Sequence, residues 1–583
     1  MHEQDFSFKY LLKFLFTSIE ARIIAIIGIA VFFNSLFNNF LMDDLPYIVL
    51  NPDMQGINIP QLFGGNIFNT SAYYRPIPAV YFALLHNIFG NQAFFYHLIQ
   101  VSLHIVNACL VFILFKRFIG KTVSLFLALV FLIHPIQVES VAYIGASQSE
   151  LFFLFGIIAL LISTRHHLQG KHWLLIAIFS LFSLLTKETG FLFVLMILLF
   201  QAIFNKKRFL KFLALESIAL VVYLFIRFFI GGTFLSKVDF APIAQLTLGE
   251  RLLSIPQIFF YYIKTVVYPV RLAVEQHWTV IKITEKNFYL PLFFDFLVLF
   301  FICAAGVFIY GRNRDHFKSY FLFFAWFIVG VAMIMQIFPL DMTVADRWFY
   351  FPLVGLLGMI GISVKLLRLQ KKLYKTLAVF LVCILLLLFS LRTMVRNTNW
   401  YSGSTLYAHD IQLEEADNFV NHNNYAITLS NEGNLALALK HAERSVTLYP
   451  FEKNLVNLGW LYFQVGQREK GMKYMYKGLQ AKSFPSQRNP HLHDEDTYEL
   501  IARLQYIYGD AKDSALIARE GVKDYSGSAR LWLLLALSEY KNQNHKQAVA
   551  AIDKAYALSP NDQIGAVRVK IINNLPVVVT IEK

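Results

Sequence analysis

Charge is what this sequence has least of. Asp, Glu, Lys and Arg make up only 15% of its 583 residues, against about 25% in an ordinary soluble protein. A single soluble domain of this length is excluded on that ground. Cysteine is nearly absent as well. Cys109, Cys303 and Cys383 each lie in an apolar segment and show no CxxC spacing, so neither a disulfide framework nor a cysteine-rich metal site is on offer. Acidic residues are outnumbered, and the formal charge is +14. The basic residues nevertheless sit in short loops between apolar segments, the pattern of topology signals rather than of a nucleic-acid groove. The first apolar segment also lacks a small-x-small cleavage site. It ends in Asn34-Ser35-Leu36-Phe37-Asn38-Asn39 and reads as a retained first helix.

What the chain does have is long apolar runs, repeated from Ile23 to Leu391, within a composition that is 57% hydrophobic. Candidate spans cover 22–41, 95–115, 121–135, 141–163, 172–186, 190–205, 211–231, 289–311, 319–338, 347–365 and 376–392, about eleven in all, several of them short of the ~20 residues a full crossing takes. The amphipathic stretch 252–270 is left out as interfacial or re-entrant. With that count, five basic connections fall on one side: Lys116/Arg117/Lys121, Arg165/Lys171, Lys206/Lys207/Arg208/Lys211, Arg312/Arg314/Lys318, and Lys365/Arg368/Lys371/Lys372/Lys375. The excess of Lys and Arg makes that side cytoplasmic. The loop 42–94 and everything after Arg392 then face the other way.

After Arg392 the chain turns polar and helix-rich. A period of 33–34 residues places small residues where paired helices cross, as in a tetratricopeptide (TPR) array. Ala426, Gly433, Ala438 and Pro450 fit one repeat. Gly459, Tyr462 and Gly466 fit a second, with Gly471 in place of the usual Ala. Ala502, Gly509 and Gly521 fit a third, and Trp532, Ala536, Ala548, Ile552, Ala555 and Pro560 a fourth. The expected fold is therefore all-α: residues 1–397 as a polytopic membrane bundle, and 398–583 as a TPR α-solenoid of about four repeats. Such arrays are concave docking surfaces for proteins and peptides. His491 and His493, in a polar interruption at 485–495, read as an ordinary loop rather than a metal site.

Ionisable residues cluster at span ends on the predicted non-cytoplasmic side. Asp43 and Asp44 open the first loop. Tyr74-Arg75, His97, His104, His134, Glu139, Lys187-Glu188, Lys264 and Asp346-Arg347 follow. Such groups near bilayer depth are costly unless paired or facing a polar cavity. Two acids with several cations suit an anionic ligand beside a general base. A structural ion-pair network is the plainer alternative, and His97 with His104, seven apart on one helix face, is ordinarily a packing pair. A divalent cation at the acid pair lacks a complete ligand set.

These residues, taken in order, resemble the transmembrane-and-TPR-containing protein O-mannosyltransferases and their bacterial relatives, within the GT-C glycosyltransferase class. Asp43-Asp44 through Ile48, Asn51 and Asp53 is similar to the family's DD…I..N.D opening, and Tyr74-Arg75-Pro76 to its YRP element. His97-Leu98…Leu103-His104 resembles its HL…LH helix, and His134-Pro135…Glu139-Ser140-Val141-Ala142 its HP…E.VA segment. Lys187-Glu188-Thr189-Gly190 is similar to its KE.G turn, and Ala345-Asp346-Arg347 through Tyr350 and Pro352 to its ADR…Y.P element. One departure stands out: where relatives carry an Arg and an acid after Val141-Ala142-Tyr143-Ile144, this chain reads Gly145-Ala146-Ser147-Gln148-Ser149-Glu150.

The resemblance implies a sugar transfer, inverting, from a polyprenyl-phosphate-linked donor to a hydroxyl, the sugar being mannose in the family. It casts Asp43 as base and Asp44 as its support. Arg75, Lys187, Arg347 and Lys264 become donor-phosphate ligands, with Tyr74, His97, His104, His134, Glu139, Glu188 and Asp346 in support. It implies a protein or peptide acceptor held by the TPR groove, membrane lipids as partners, and no nucleic acid. A lipid or glycan acceptor, an O-antigen-ligase-like enzyme, and a non-catalytic TPR scaffold remain open. Richness in Phe, Ile, Asn and Lys points to a bacterial inner membrane with a periplasmic TPR, the endoplasmic reticulum with a luminal one being the eukaryotic equivalent.

Overall fold

The structure is a computed structural model that describes residues 6–64, 73–233, 241–366, 372–413, 417–481 and 493–577. Arg368 and Lys371 of the fifth basic loop, and His491, lie outside them. The described residues are helical, with no strand beyond an isolated antiparallel bridge, Gln276 to Val344. Helix follows from the solvent: in lipid every backbone donor and acceptor must be satisfied within its own segment. The chain divides into two compact units, residues 1–421 and 422–583. The division falls after the Gly403–Asp410 helix, later than the 397/398 boundary that composition suggests.

Among the described residues of the first unit, seven helices are long and apolar enough to cross a membrane: Ile19–Phe37, Ala93–Phe118, Ile144–Ser163, Lys206–Ile230, Glu285–Arg312, Asp346–Leu366 and Leu373–Asn399. An eighth is available if the pair Lys121–Ile133 and Pro135–Ala142, bent by 49°, is one span. The expected spans 172–186 and 190–205 fall on shorter apolar helices, Gly170–Thr186 and Glu188–Phe204, and 319–338 on Arg314–Ala332. Among the described residues, length and composition alone qualify seven or eight crossings and do not confirm the expected eleven.

The bend is made by Pro135, which has no N–H to give and whose ring blocks a continuing helix. Side chains satisfy the backbone that the break frees. The Ile136 amide donates to His134 Nδ1 (3.1 Å), and Gln100 Nε2 donates to the carbonyls of Ser140 (2.6 Å) and Tyr143 (2.8 Å). Close helix packing rests on small residues. A Cβ on Gly355 would stand 2.5 Å from the backbone nitrogen of Phe327, so only glycine lets Tyr350–Leu366 lie against Arg314–Ala332.

The second unit is built of helix pairs, with Leu435–Leu448 as its first complete helix. Glu452–Gln464 with Arg468–Gln480, Glu495–Tyr508 with Ala511–Asp524, and Ala529–Lys541 with His545–Leu558 then follow, and Asp562–Ile572 covers the last pair. Side chains 34 positions apart bond to one another: Asn457 to Asn423, Ser430 to Gln464, Tyr540 to Asn574. A constant offset of one repeat is the mark of a solenoid. Gly433 and Gly466 turn the first two repeats with φ of +83° and +86°, and Gln543 turns the last pair at +64°. The unexpected Gly471 has a reason too: a Cβ there would meet the Gly459 carbonyl at 2.6 Å, and one on Gly459 would meet the Gly471 carbonyl at 2.7 Å.

Candidate active site

The acid pair follows Met42, a non-glycine residue with φ of +52°. This conformation is uncommon outside glycine and is held by its surroundings. The result separates the two acids. Asp44 is buried, and both its oxygens are engaged: Oδ2 accepts the Leu41 amide (2.9 Å) and Oδ1 the Gly145 amide (2.7 Å). Asp43 is exposed, and its Oδ2 accepts the Tyr143 hydroxyl at 3.1 Å. Desolvation by the surrounding protein raises the pKa of Asp43, and the charge of Glu275 raises it further. The Tyr143 hydrogen bond and the field of Arg347 work against that rise. A reachable carboxylate with an elevated pKa suits proton abstraction; one locked by two amides suits positioning.

The cations come from three other elements. Arg75 stands at the start of the Pro76–Phe89 helix. Its Nε (3.2 Å) and Nη2 (3.0 Å) donate to Glu188 Oε2, its Nη1 donates to Gln148 Oε1 (2.6 Å), and its guanidinium covers the Tyr73 ring at 4.0 Å. Lys187 sits in the turn between Gly170–Thr186 and Phe191–Phe204. It is buried, donates to Ser149 Oγ at 3.1 Å, and forms no ion pair among the described residues. Gly190 makes that turn possible, since a Cβ there would fall 2.4 Å from the Ser183 carbonyl. Arg347 donates from its backbone amide to Glu139 Oε2 (2.9 Å) and pairs through its guanidinium with Glu139 Oε1. The fields of Arg75 and Arg347 both reach Lys187. Asp43, Arg75, Lys187, Glu188, Glu139 and Arg347 thus form one electrostatic neighbourhood.

The remaining sequence-predicted residues have other work. Tyr74 is buried and donates to the Phe63 carbonyl (2.8 Å). Asp346 accepts the Tyr261 hydroxyl (2.7 Å) beside Arg347. His97 is fully buried in Ala93–Phe118. His104 sits between the Tyr350 hydroxyl (2.9 Å) and the Leu132 carbonyl (2.8 Å), bracing three helices. His134 contacts the Val266 carbonyl at 2.9 Å and caps the helix break. Lys264 does not join the cation group. It turns with Phe260 and Val267 toward Phe294 and Asp295 in a separate crevice, because helical spacing puts those residues on one face.

Sequence reasoning passed over Tyr143, Gln148, Ser149 and Arg227. Arg227 donates to Glu188 Oε1 (3.2 Å) and to the Tyr223 hydroxyl (3.0 Å), so Glu188 bridges two arginines. An arginine inside the apolar run Leu224-Phe225-Ile226-Arg227-Phe228-Phe229 was the available signal. Gln148 and Ser149 lie in the segment that departs from the family pattern, where they hold Arg75 and Lys187. Among the described residues no group of three or more His, Cys, Asp or Glu side chains is arranged to hold a metal ion.

Comparison with known proteins bears on this arrangement. Residues 75–238 match the family model described as dolichyl-phosphate-mannose-protein mannosyltransferase, and 453–484 and 529–562 match the tetratricopeptide repeat. Human protein O-mannosyl-transferase TMTC3 is 22% identical over 515 residues, covering 80% of this chain and 56% of the relative. Protein O-mannosyl-transferase F38B6.6 of Caenorhabditis elegans is 23% identical over 66% of this chain and 56% of the relative. Human protein O-mannosyl-transferase TMTC1 is 30% identical over 27% of this chain and 20% of the relative. The chain therefore spans about half the length of the first two curated relatives. One segment of its membrane region thus matches a mannosyltransferase family model, its tail matches TPR repeats, and over most of its length it is similar to the TMTC protein O-mannosyl-transferases.

Proposed function

We propose that this protein is a membrane mannosyltransferase that takes the sugar from a polyprenyl-phosphate carrier and gives it to a hydroxyl of a protein acceptor on the non-cytoplasmic side. The observation that carries the reading is the division of the acid pair: Asp43 open and elevated in pKa, Asp44 fastened to two backbone amides. The open carboxylate shares an electrostatic neighbourhood with Arg347, itself coupled to Lys187 and Arg75. In the proposed step the acceptor hydroxyl gives its proton to Asp43 as its oxygen bonds to the anomeric carbon. The bond from that carbon to the phosphate oxygen breaks, the electron pair leaves on polyprenyl phosphate, and the configuration inverts. Arg75, Lys187 and Arg347 meet the charge that develops on the leaving phosphate, where preorganised cations are most effective.

The TPR array would supply the protein acceptor, and the membrane would be a bacterial inner membrane with the array in the periplasm. Purified full-length protein given mannosyl-phosphoryl-polyprenol and a Ser/Thr peptide should form a base-labile mannosyl peptide. Asp43→Asn should lower that rate by about 10²–10⁴-fold, the range of general-base catalysis, with membrane insertion unchanged. An Asp43→Asn protein of full activity overturns the assignment of the base. Transfer to lipid alone overturns that of the acceptor.

A further inference from the structure

At the end of the membrane bundle that carries the basic connections, the helix Phe8–Thr17 is framed by two serines. Ser7 Oγ accepts the Tyr10 amide (3.1 Å), and Ser18, extended at φ −79° and ψ 144°, interrupts the chain before Ile19–Phe32 begins. Both flanks are fastened to basic connections. The Phe6 carbonyl accepts from the Arg165 guanidinium, and Glu20 pairs with Lys121 at 2.5 Å. Those connections meet one another, since Arg117 donates to Thr164 Oγ1 and Arg208 Nη1 to the Arg165 carbonyl (2.9 Å). The helix has 10 residues, about 15 Å at the usual rise. Phe14 packs on Phe112 of Ala93–Phe118, and Phe8 on Phe179 of Gly170–Thr186, with ring centroids 5.5 and 5.6 Å apart. A short helix tied to the same rim at both ends and resting on two different helices lies across the end of the bundle, not along a span.

Helical spacing divides its surface in three. Leu11 and Phe14 are buried against the protein. Phe8, Leu12 and Phe16, each four positions from the next, form an outward stripe that is 38%, 55% and 79% exposed. Lys9 and Lys13 stand one position further round, both exposed and neither in an ion pair among the described residues. From Phe6 to Arg22 the one acid is Glu20, already engaged by Lys121. An apolar stripe beside a lysine stripe, with the third face fixed on protein, is the pattern of a helix seated at a membrane surface: the apolar residues enter the acyl boundary and the lysines stay at headgroup level. The unbalanced positive charge then selects the lipid. Any bilayer takes the stripe, but only a headgroup whose phosphate is not already balanced by its own ammonium brings the lysines a net negative charge. We propose that Phe8–Thr17 docks on the membrane leaflet at the basic end of the bundle and gathers anionic phospholipid around Lys9 and Lys13. This surface is separate from the transfer reaction, and its test needs no activity.

Fluorescence quenching of the full-length protein, one copy to a lipid nanodisc, tests the proposal. A fluorophore on Thr17→Cys, in a background with Cys109, Cys303 and Cys383 replaced, is exposed to phosphatidylglycerol or phosphatidylcholine carrying a nitroxide on the acyl chain, at equal mole fraction. Phosphatidylglycerol should quench in preference by about fivefold, the worth of one lysine near an anionic surface. Lys9→Gln with Lys13→Gln should remove most of that preference and leave quenching by phosphatidylcholine in place. Leu12→Ser with Phe16→Ser should cut quenching by both lipids in a protein that still unfolds at the wild-type temperature. Parity of the two lipids in the wild type, a preference that survives the paired lysine substitution, or a fluorophore that neither lipid quenches would each overturn it. Shielding that appears only when two copies share a disc would give the face to a second copy of the chain and overturn it as well.

Discussion

Because Met42 takes a left-handed backbone conformation, two consecutive aspartates reach different surroundings: Asp44 is tied to the Leu41 and Gly145 amides, while Asp43 is left to solvent and Tyr143. That difference has a pH signature. The working form of a base is the carboxylate, so transfer is at full rate above the pKa of Asp43 and is lost as pH falls through it. Since that pKa is raised above the ordinary 3.8, the acid limb should lie above that of an unperturbed aspartate. Glu275 adds to the rise, so Glu275→Gln should move the limb of kcat/KM to lower pH. A limb that stays in place or moves upward would show that another group carries the proton. The acid pair and its neighbours in each motif were legible as residue types; that one acid is fastened and the other open was not. Burial and amide geometry depend on Gly145, which is about a hundred positions away.

At the scale of single elements, two turns make opposite demands. The turn at Lys187-Glu188 closes on Gly190 because a Cβ would strike the Ser183 carbonyl. Gly190→Ala should push the turn outward, raise the KM for the lipid donor, and lower stability by about 1–3 kcal/mol, as overpacking does. Donor kinetics and thermal unfolding together read both effects. In the repeat array, Gln543 occupies a left-handed turn position of the kind that Gly433 and Gly466 fill elsewhere. Left-handed backbone costs a residue with a side chain about 1–2 kcal/mol, and glycine loses more entropy on folding, so Gln543→Gly should stabilise the array by about 0.5–1 kcal/mol. Denaturant titration of the full chain, followed by a probe in the array, measures it. The 34-residue period announced these turns in the sequence. The bend at His134-Pro135 was announced as a motif only, since the side chains that satisfy it come from Gln100 and from His134 itself.

For the whole molecule, the testable expectation is which way it faces. If eleven segments cross, the basic loops share one side, which the positive-inside rule makes cytoplasmic. A single cysteine placed near Leu575, in a background with Cys109, Cys303 and Cys383 replaced, should react with a membrane-impermeant maleimide from the non-cytoplasmic side of sealed vesicles; reaction from the cytoplasmic side alone would reverse the orientation. Hydropathy and period were enough to foresee an all-helical membrane region followed by a repeat array. The count of eleven crossings is not reached on length and composition, because 172–186 and 190–205 form helices shorter than a bilayer is thick. Hydropathy and period also missed Arg227 and the supports of the cations, because those contacts join positions 38 to 113 residues apart.

Gln148 and Ser149, in the stretch that lacks the family's arginine, are consecutive residues in the first turn of the Ser147–Ser163 helix. One holds Arg75 and the other Lys187. The two cations are therefore hung from a single hinge point. Whatever tugs one of them shifts the seat of the other, so their contributions to gripping a ligand are thermodynamically coupled rather than summed. A chain built this way responds to an occupied site as one clamp, and neither jaw can be retuned alone.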